Sequence, residues 1–131
     1  MTNDRLAAQM AALRQRFLEQ LPERLQLLEE AIAQIDASET APQAARSIVH
    51  SLAGAGATFG CPEVSEAARD MEVSLFPPGS ASARFDPSSR GRIPALLDAV
   101  RSAVRTVLAR AKSVNAATDA GNTPKPTPKE S

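Results

Sequence analysis

His50 is the one histidine of this 131-residue chain, and its side chain is the strongest candidate for chemistry at cellular pH. Neutral imidazole is a competent nucleophile that needs no strong activating base. Three glycines follow it at positions 54, 56 and 60, in the stretch VHSLAGAGATFG, which otherwise has the composition of a helix. Each glycine inside a helix costs about 1 kcal/mol relative to alanine, so we expect these glycines to serve something other than helix stability.

The helical phase predicts that His50 faces solvent. At ~100° per residue, four apolar residues lie far around the helix from His50 and form its core face: Ala45, Ile48, Leu52 and Phe59. Four small or basic residues are predicted to surround the imidazole, the last of them at about 60°: Arg46, Gly54, Ala57 and Ala53. An exposed histidine without a role is the ordinary alternative.

The three glycines have different predicted purposes. Gly54 leaves a bare backbone beside the imidazole, which lets another protein approach the ring. Gly56 falls on the inner side of the helix, where a missing side chain permits close helix packing. Gly60 suits the left-handed position that ends a helix.

The elements that must position these residues are predicted to be helices throughout. Leu6, Met10, Leu13 and Phe17 form one apolar stripe, and a second stripe continues to Ile35. Pro22 favours a break near Leu21 and Pro22, which would separate an additional N-terminal helix from the next; one kinked helix is the alternative.

The remaining boundaries follow from proline, glycine and serine content. Helices are predicted at about 41–59, 62–76 and 89–112, with a loop at 77–89. Residues 1–113 are predicted to form one helical bundle. Residues 114–131 have no apolar rhythm and are predicted to be a disordered C-terminal tail.

Composition and charge exclude several classes of protein. The chain has 15 basic and 15 acidic residues, so no overall charge points to nucleic acid or a membrane surface. No apolar stretch approaches the roughly 18 residues that a membrane span needs. Cys61 is the only cysteine, which rules out an internal disulfide and favours a reducing, cytoplasmic location.

Charge is nevertheless uneven along the chain. Residues 1–40 contain seven acidic and four basic side chains, whereas residues 77–113 contain two acidic and seven basic ones. Packing of a basic last helix beside acidic neighbours would explain this, and binding of an acidic partner is the alternative.

The stretch HSLAGAGATFG (residues 50–60) resembles the signature of histidine-containing phosphotransfer (HPt) domains. Five positions carry the resemblance: His50, Leu52, Gly54, Phe59 and Gly60. It continues in ARDMEVSL, where Met71 and Glu72 match the Met-Glu pair of that family, and FLEQLPERLQLLEEAI resembles its leading helices. The likeness is greatest to the N-terminal phosphotransfer domain of chemotaxis histidine kinases.

The resemblance implies an all-α, up-and-down four-helix bundle with an additional N-terminal helix. It implies a monomeric carrier that is no enzyme, holds no cofactor or metal of its own, and takes a phosphoryl group on His50. The donor would be a histidine kinase or the aspartyl phosphate of a receiver domain, and the group would pass on to a receiver domain of a response regulator. The receiver would bring the Mg²⁺. Glu72 would accept the Nδ1 proton and orient the imidazole for attack through Nε2; a solvated surface carboxylate is the alternative.

The sequence departs from the family at Ala53, where a lysine is usual before the motif glycine. That lysine would place positive charge beside a phosphate carrying about −1.5 to −2. Arg46 and Arg69 are candidates to replace it, because arginine offers a planar set of donors to phosphate. Arg69 has an alternative role, in neutralising Glu72 or Asp70.

Two other functions compete with phosphotransfer. A phosphate-free adaptor would use the same helical surface to bind a receiver or kinase domain, and the missing lysine supports it. A catalyst is disfavoured, because one histidine and one distant cysteine make no nucleophile–base pair and no metal site.

Overall fold

The computed structural model describes residues 2–78 and 84–122. Four α-helices lie within those ranges: α1 (Thr2–Ala33), α2 (Ala41–Thr58), α3 (Pro62–Leu75) and α4 (Ile93–Asn122). A 3-10 helix, Pro87–Arg92, leads directly into α4. The same ranges contain no β-strand, which confirms the all-α class predicted from the sequence.

The four helices surround one core. Each helix packs against the next along the chain, and α4 packs against α1. Large apolar side chains from every helix are fully buried in it: Leu21, Leu28, Leu52, Met71, Leu75, Val100 and Val107. Burial of each such side chain stabilises the fold by about 1.5–3 kcal/mol. No helix of the described ranges is long and apolar enough to cross a membrane.

α1 is continuous through Pro22, so the predicted break and the separate N-terminal helix are both absent. Proline removes one intrahelical hydrogen bond and costs a helix interior about 3 kcal/mol. Pro22 itself is exposed, while Leu18 and Leu21 before it and Leu28 after it are buried in the core. Packing on both sides of the proline therefore offsets its local cost.

The first stripe of α1 enters the core only at its end. Leu6, Met10 and Leu13 are 57%, 40% and 45% exposed, whereas Phe17 is buried. The ring of Phe17 packs against Phe59 with 5.4 Å between centroids. The amino-terminal part of α1 is thus helical without being part of the bundle core.

The corner between α2 and α3 depends on the two later glycines. A Cβ added to Gly56 would lie 2.9 Å from the backbone nitrogen of Ser65, so only glycine allows this approach of α3. Gly60 has φ +72°, the left-handed conformation that glycine adopts without strain. Cys61 then donates its backbone N–H to the Gly56 carbonyl at 2.7 Å and buries its side chain.

α4 continues to Asn122, whereas the sequence predicted that the last helix ends at about residue 112. Residues 114–122, VNAATDAGN, lack an apolar rhythm but are rich in alanine, the strongest helix former. Absence of an apolar stripe argues against burial and not against a helix. The predicted tail is therefore helical as far as residue 122, and residues 123–131 lie outside the described ranges.

Three of the seven basic residues of positions 77–113 pair with acidic residues elsewhere in the bundle. Arg90 pairs with Asp36 in the turn after α1, Arg101 with Glu29 of α1, and Arg110 with Glu63 of α3. These pairs agree with the first explanation of the uneven charge, in which a basic last helix lies beside acidic neighbours.

Candidate functional site

His50 lies near the middle of α2 with its side chain 74% exposed. Ala45, Val49 and Leu52 of the same helix are buried on the opposite side. The exposure of the imidazole therefore follows from the helical phase that anchors α2 to the core, as the sequence predicted.

Glu72 of α3 holds one nitrogen of the imidazole. Its Oε2 lies 2.8 Å from His50 Nδ1, and its side chain is 21% exposed. Met71, the preceding residue, is fully buried and fixes the rotation of α3 that brings Glu72 to α2. An ionised carboxylate only accepts hydrogen bonds, so a neutral imidazole in this contact has its proton on Nδ1 and the lone pair on Nε2.

The surface beside the imidazole is low and open. Gly54 and Ala57, one and two turns after His50, are exposed, and nothing lies within 4 Å of a Cβ built on Gly54. We refer to the surface formed by His50, Gly54 and Ala57 as the His50 face. It leaves room for another protein to approach the ring.

Ala53 is not part of this open surface, which corrects the prediction from phase. Its side chain is 5% exposed, and its carbonyl accepts a hydrogen bond from Ser65 Oγ at 2.8 Å. In an ideal helix, Ala53 lies about 60° from His50 around the helix axis, as the sequence predicted. However, α3 approaches so closely at Gly56 that it also covers the flank containing Ala53.

Arg46 contributes to a different part of the molecule. It lines a cavity of about 420 Å³ together with Phe76 and Phe85. Its Nε is buried and has no hydrogen-bond partner among the described residues. The structure thus places Arg46 in a cavity near the start of α2, which His50 does not line.

Arg69 lies on α3, one turn before Glu72, and is exposed. It shares a surface depression with Ala57, Gly60 and Glu66. The structure therefore brings two of the predicted contact residues, Arg69 and Ala57, to one edge of the His50 face.

Arg24 of α1 borders the site and was missed by the sequence reasoning. Its Nη1 donates to Ser51 Oγ at 3.4 Å, and Ser51 directly follows His50. The apolar stripe of α1 shows that Arg24 flanks the core, because it lies between Leu21 and Leu28. That pattern does not show which helix lies alongside, so the sequence contains no signal for this contact.

Comparison with known protein families shows which family the chain matches. A family model described as Hpt domain matches residues 12–103, which is more than half of the chain. No curated protein and no solved structure matches it. The chain belongs to the Hpt domain family, whose members are phosphotransfer carriers that interact with receiver domains and kinases in phosphorelays.

Proposed function

From this family membership we propose that the protein carries a phosphoryl group on His50 between a sensor kinase or receiver aspartate and another receiver domain. The observation that supports it most is the exposed imidazole whose Nδ1 lies 2.8 Å from the Glu72 carboxylate. We also propose that its nearest relatives are the N-terminal phosphotransfer domains of chemotaxis histidine kinases, because the Met71–Glu72 pair matches theirs.

The proposed step forms one bond and breaks one. The Nε2 lone pair of His50 attacks the phosphorus of an aspartyl phosphate, and the P–O bond to the aspartate breaks with its electron pair leaving on that carboxylate. Nδ1 keeps its proton, so the ring acquires one positive charge while the phosphoryl group keeps its negative charges. The reverse step returns the group to a second receiver.

Glu72 has two effects in this step. It fixes the tautomer that leaves Nε2 unprotonated, and its negative charge lies beside the ring as the ring becomes positive. Both effects act on a neutral nucleophile that needs no general base. The protein therefore requires no machinery for proton abstraction.

The remaining requirements fall to the partners. Phosphoryl transfer has a loose transition state, so catalysis is mostly positioning and charge stabilisation. The receiver would supply Mg²⁺ and its acidic site, and the kinase would supply ATP. Gly54 and Ala57 give the receiver access to His50, and Arg69 at the edge of the His50 face is a proposed contact. We place this carrier in the cytoplasm as a monomer.

A second function is favoured by one observation. Ala53 stands where the family usually has lysine, and it is buried against α3. An adaptor that binds a receiver or kinase domain without carrying phosphate would not need that lysine. In such an adaptor, His50 would be replaceable without loss of binding.

The test is phosphotransfer against a panel of receivers and kinases, comparing the wild type with His50→Gln. We expect acid-labile label on the wild type only. Absence of label on both, with receiver binding retained by both, would establish the adaptor. Absence of both label and binding would contradict either function.

A further inference from the structure

A phosphoryl group on His50 needs positive charge nearby, and Ala53 provides none. The group carries about −1.5 to −2 near neutral pH, and cations beside such a group form charge-assisted hydrogen bonds with it. Glu72 already occupies the α3 side of the imidazole with a carboxylate. Repulsion from that carboxylate favours phosphoryl positions on the other side of the ring, toward α1.

Arg24 is the cation on the α1 side. Three contacts hold its guanidinium: Nη2 donates to Gln20 Oε1 at 3.1 Å, Nη1 donates to Ser51 Oγ at 3.4 Å, and Cζ lies 5.7 Å from the centroid of the Phe17 ring. Gln20 and Phe17 belong to the same helix as Arg24. The guanidinium is therefore positioned by its own helix beside the residue that follows His50.

The contact with Ser51 is the one that a phosphoryl group would replace. At 3.4 Å it is longer than a normal hydrogen bond and therefore weak. Hydrogen bonds from arginine to phosphate are shorter and roughly twice as strong as those between neutral groups. Exchange of the neutral serine hydroxyl for the ionised phosphoryl group as the acceptor of Nη1 is thus favourable.

Arg69 is the weaker candidate. It lies on α3, the helix that also carries Glu72, and it shares its surface depression with Glu66. Acidic groups thus lie on its own side of the site, whereas the described contacts of Arg24 are to neutral side chains.

We propose that Arg24 contacts the phosphoryl group on His50 and takes the place of the lysine that the family usually has at position 53. This inference rests on the proposed function, because it requires His50 to be phosphorylated. The partner of the arginine is the phosphoryl group itself, so the effect does not depend on which receiver or kinase is used.

The test uses the full chain phosphorylated on His50 by phosphoramidate, a small donor that needs no partner protein. Arg24→Gln is compared with Arg16→Gln, which removes the same charge from an exposed position of the same helix. Two quantities are measured: the hydrolysis rate of the phosphohistidine, and the pKa of its phosphoryl group by ³¹P NMR titration. Arg24→Lys is the second variant, since it keeps the charge and the aliphatic stem.

For Arg24→Gln we expect hydrolysis about fivefold faster, the factor that about 1 kcal/mol of an exposed charge pair represents. We also expect a higher phosphoryl pKa, because a nearby cation favours the doubly ionised form. Arg16→Gln should match the wild type, and Arg24→Lys should recover part of both changes.

Equal lifetimes and equal phosphoryl pKa values in the two glutamine variants would overturn the proposal, even where receivers phosphorylate the wild type. A wild type that no receiver or kinase phosphorylates would instead overturn the proposed function.

Discussion

Glu72 contacts a single atom of the imidazole, and in the proposed function that contact separates the two nitrogens of His50 by role. Nδ1 lies 2.8 Å from the carboxylate, and the His50 side chain as a whole is 74% exposed. The separation needs two helices in fixed rotation, because neither residue alone sets the tautomer.

Replacement of Glu72 by alanine should slow phosphotransfer to His50 by about tenfold, the lower end of what loss of an orienting partner costs. The imidazole would then populate both tautomers and would lose the negative charge beside the ring. The measurement is the transfer rate from a phosphorylated receiver at saturating concentration. Asp70→Ala, an exposed neighbour on α3, is the control. Equal rates in the two variants would show that Glu72 is only a solvated carboxylate.

Ala53→Lys should prolong the phosphohistidine lifetime by up to about fivefold while the fold stays intact. The Cβ at position 53 is covered by α3, but a lysine stem lies along apolar surface and extends its ammonium group to water. Hydrolysis of the phosphorylated variant is followed beside the wild type, with thermal unfolding as the control for the fold. An unchanged lifetime would mean that the alanine does not weaken the site.

The phase of a single helix could be predicted from the sequence, whereas most contacts that need two helices to be placed together could not. The exposure of His50 follows from the phase of α2 alone. The burial of Ala53 and the approach of Arg24 to Ser51 depend on how closely α3 and α1 pack, which no single-helix pattern contains. The contact of Glu72 with His50 was expected only because the residues resemble a family.

At the scale of the elements, the glycines of α2 differ in what surrounds them. A Cβ added to Gly56 would lie only 2.9 Å from the backbone nitrogen of Ser65, whereas a Cβ added to Gly54 would have no atom within 4 Å. The same residue type therefore has a packing role at one position and an access role two residues earlier.

Gly56→Ala should destabilise the protein by about 1–3 kcal/mol, the usual cost of overpacking. The added Cβ would lie 2.9 Å from a backbone atom, so a side chain cannot simply move away. Gly54→Ala should instead stabilise it by about 0.5–1 kcal/mol, because the alanine lowers the entropy lost on folding. Urea unfolding of both variants measures the difference. A Gly56→Ala variant as stable as Gly54→Ala would contradict the close approach of α3.

The continuity of α1 shows a limit of local rules. Proline at position 22 predicted a break because its missing hydrogen bond has a local cost. The buried leucines before and after it belong to the same side of one helix, and their packing depends on the other helices. A prediction made from neighbouring residues alone could not include the stabilisation that these leucines gain by packing against the other helices.

At the scale of the whole molecule, ion pairs join α4 and the 3-10 helix before it to the rest of the bundle. The hydrogen bonds from Arg110 lower the pKa of Glu63 from its ordinary value of 4.5, and the same contact raises the pKa of Arg110. Both groups are exposed, so water and salt screen the pair.

Because the pKa of Glu63 is lower in the folded protein than in the unfolded chain, the pair stabilises the fold above the ordinary carboxyl range. That contribution disappears as the pH falls through the lowered pKa. Glu63→Gln should therefore lower the urea midpoint slightly at about pH 7 and not at about pH 3. Glu66→Gln, an exposed neighbour on the same helix, should show no such difference. The same loss at both pH values would mean that Glu63 acts through packing and not through charge.

The short corner at residues 59–61 has a consequence for hydrogen exchange. His50 and Glu72 lie on the two helices that it joins, and close backbone packing at Gly56 holds these helices together. Local opening at the amino-terminal end of α1 or the far end of α4 leaves that pair of helices in place. Amides of the α2–α3 corner should thus exchange more slowly than amides at the amino-terminal end of α1 and the far end of α4. The contact between His50 and Glu72 should persist when those two helix ends unfold.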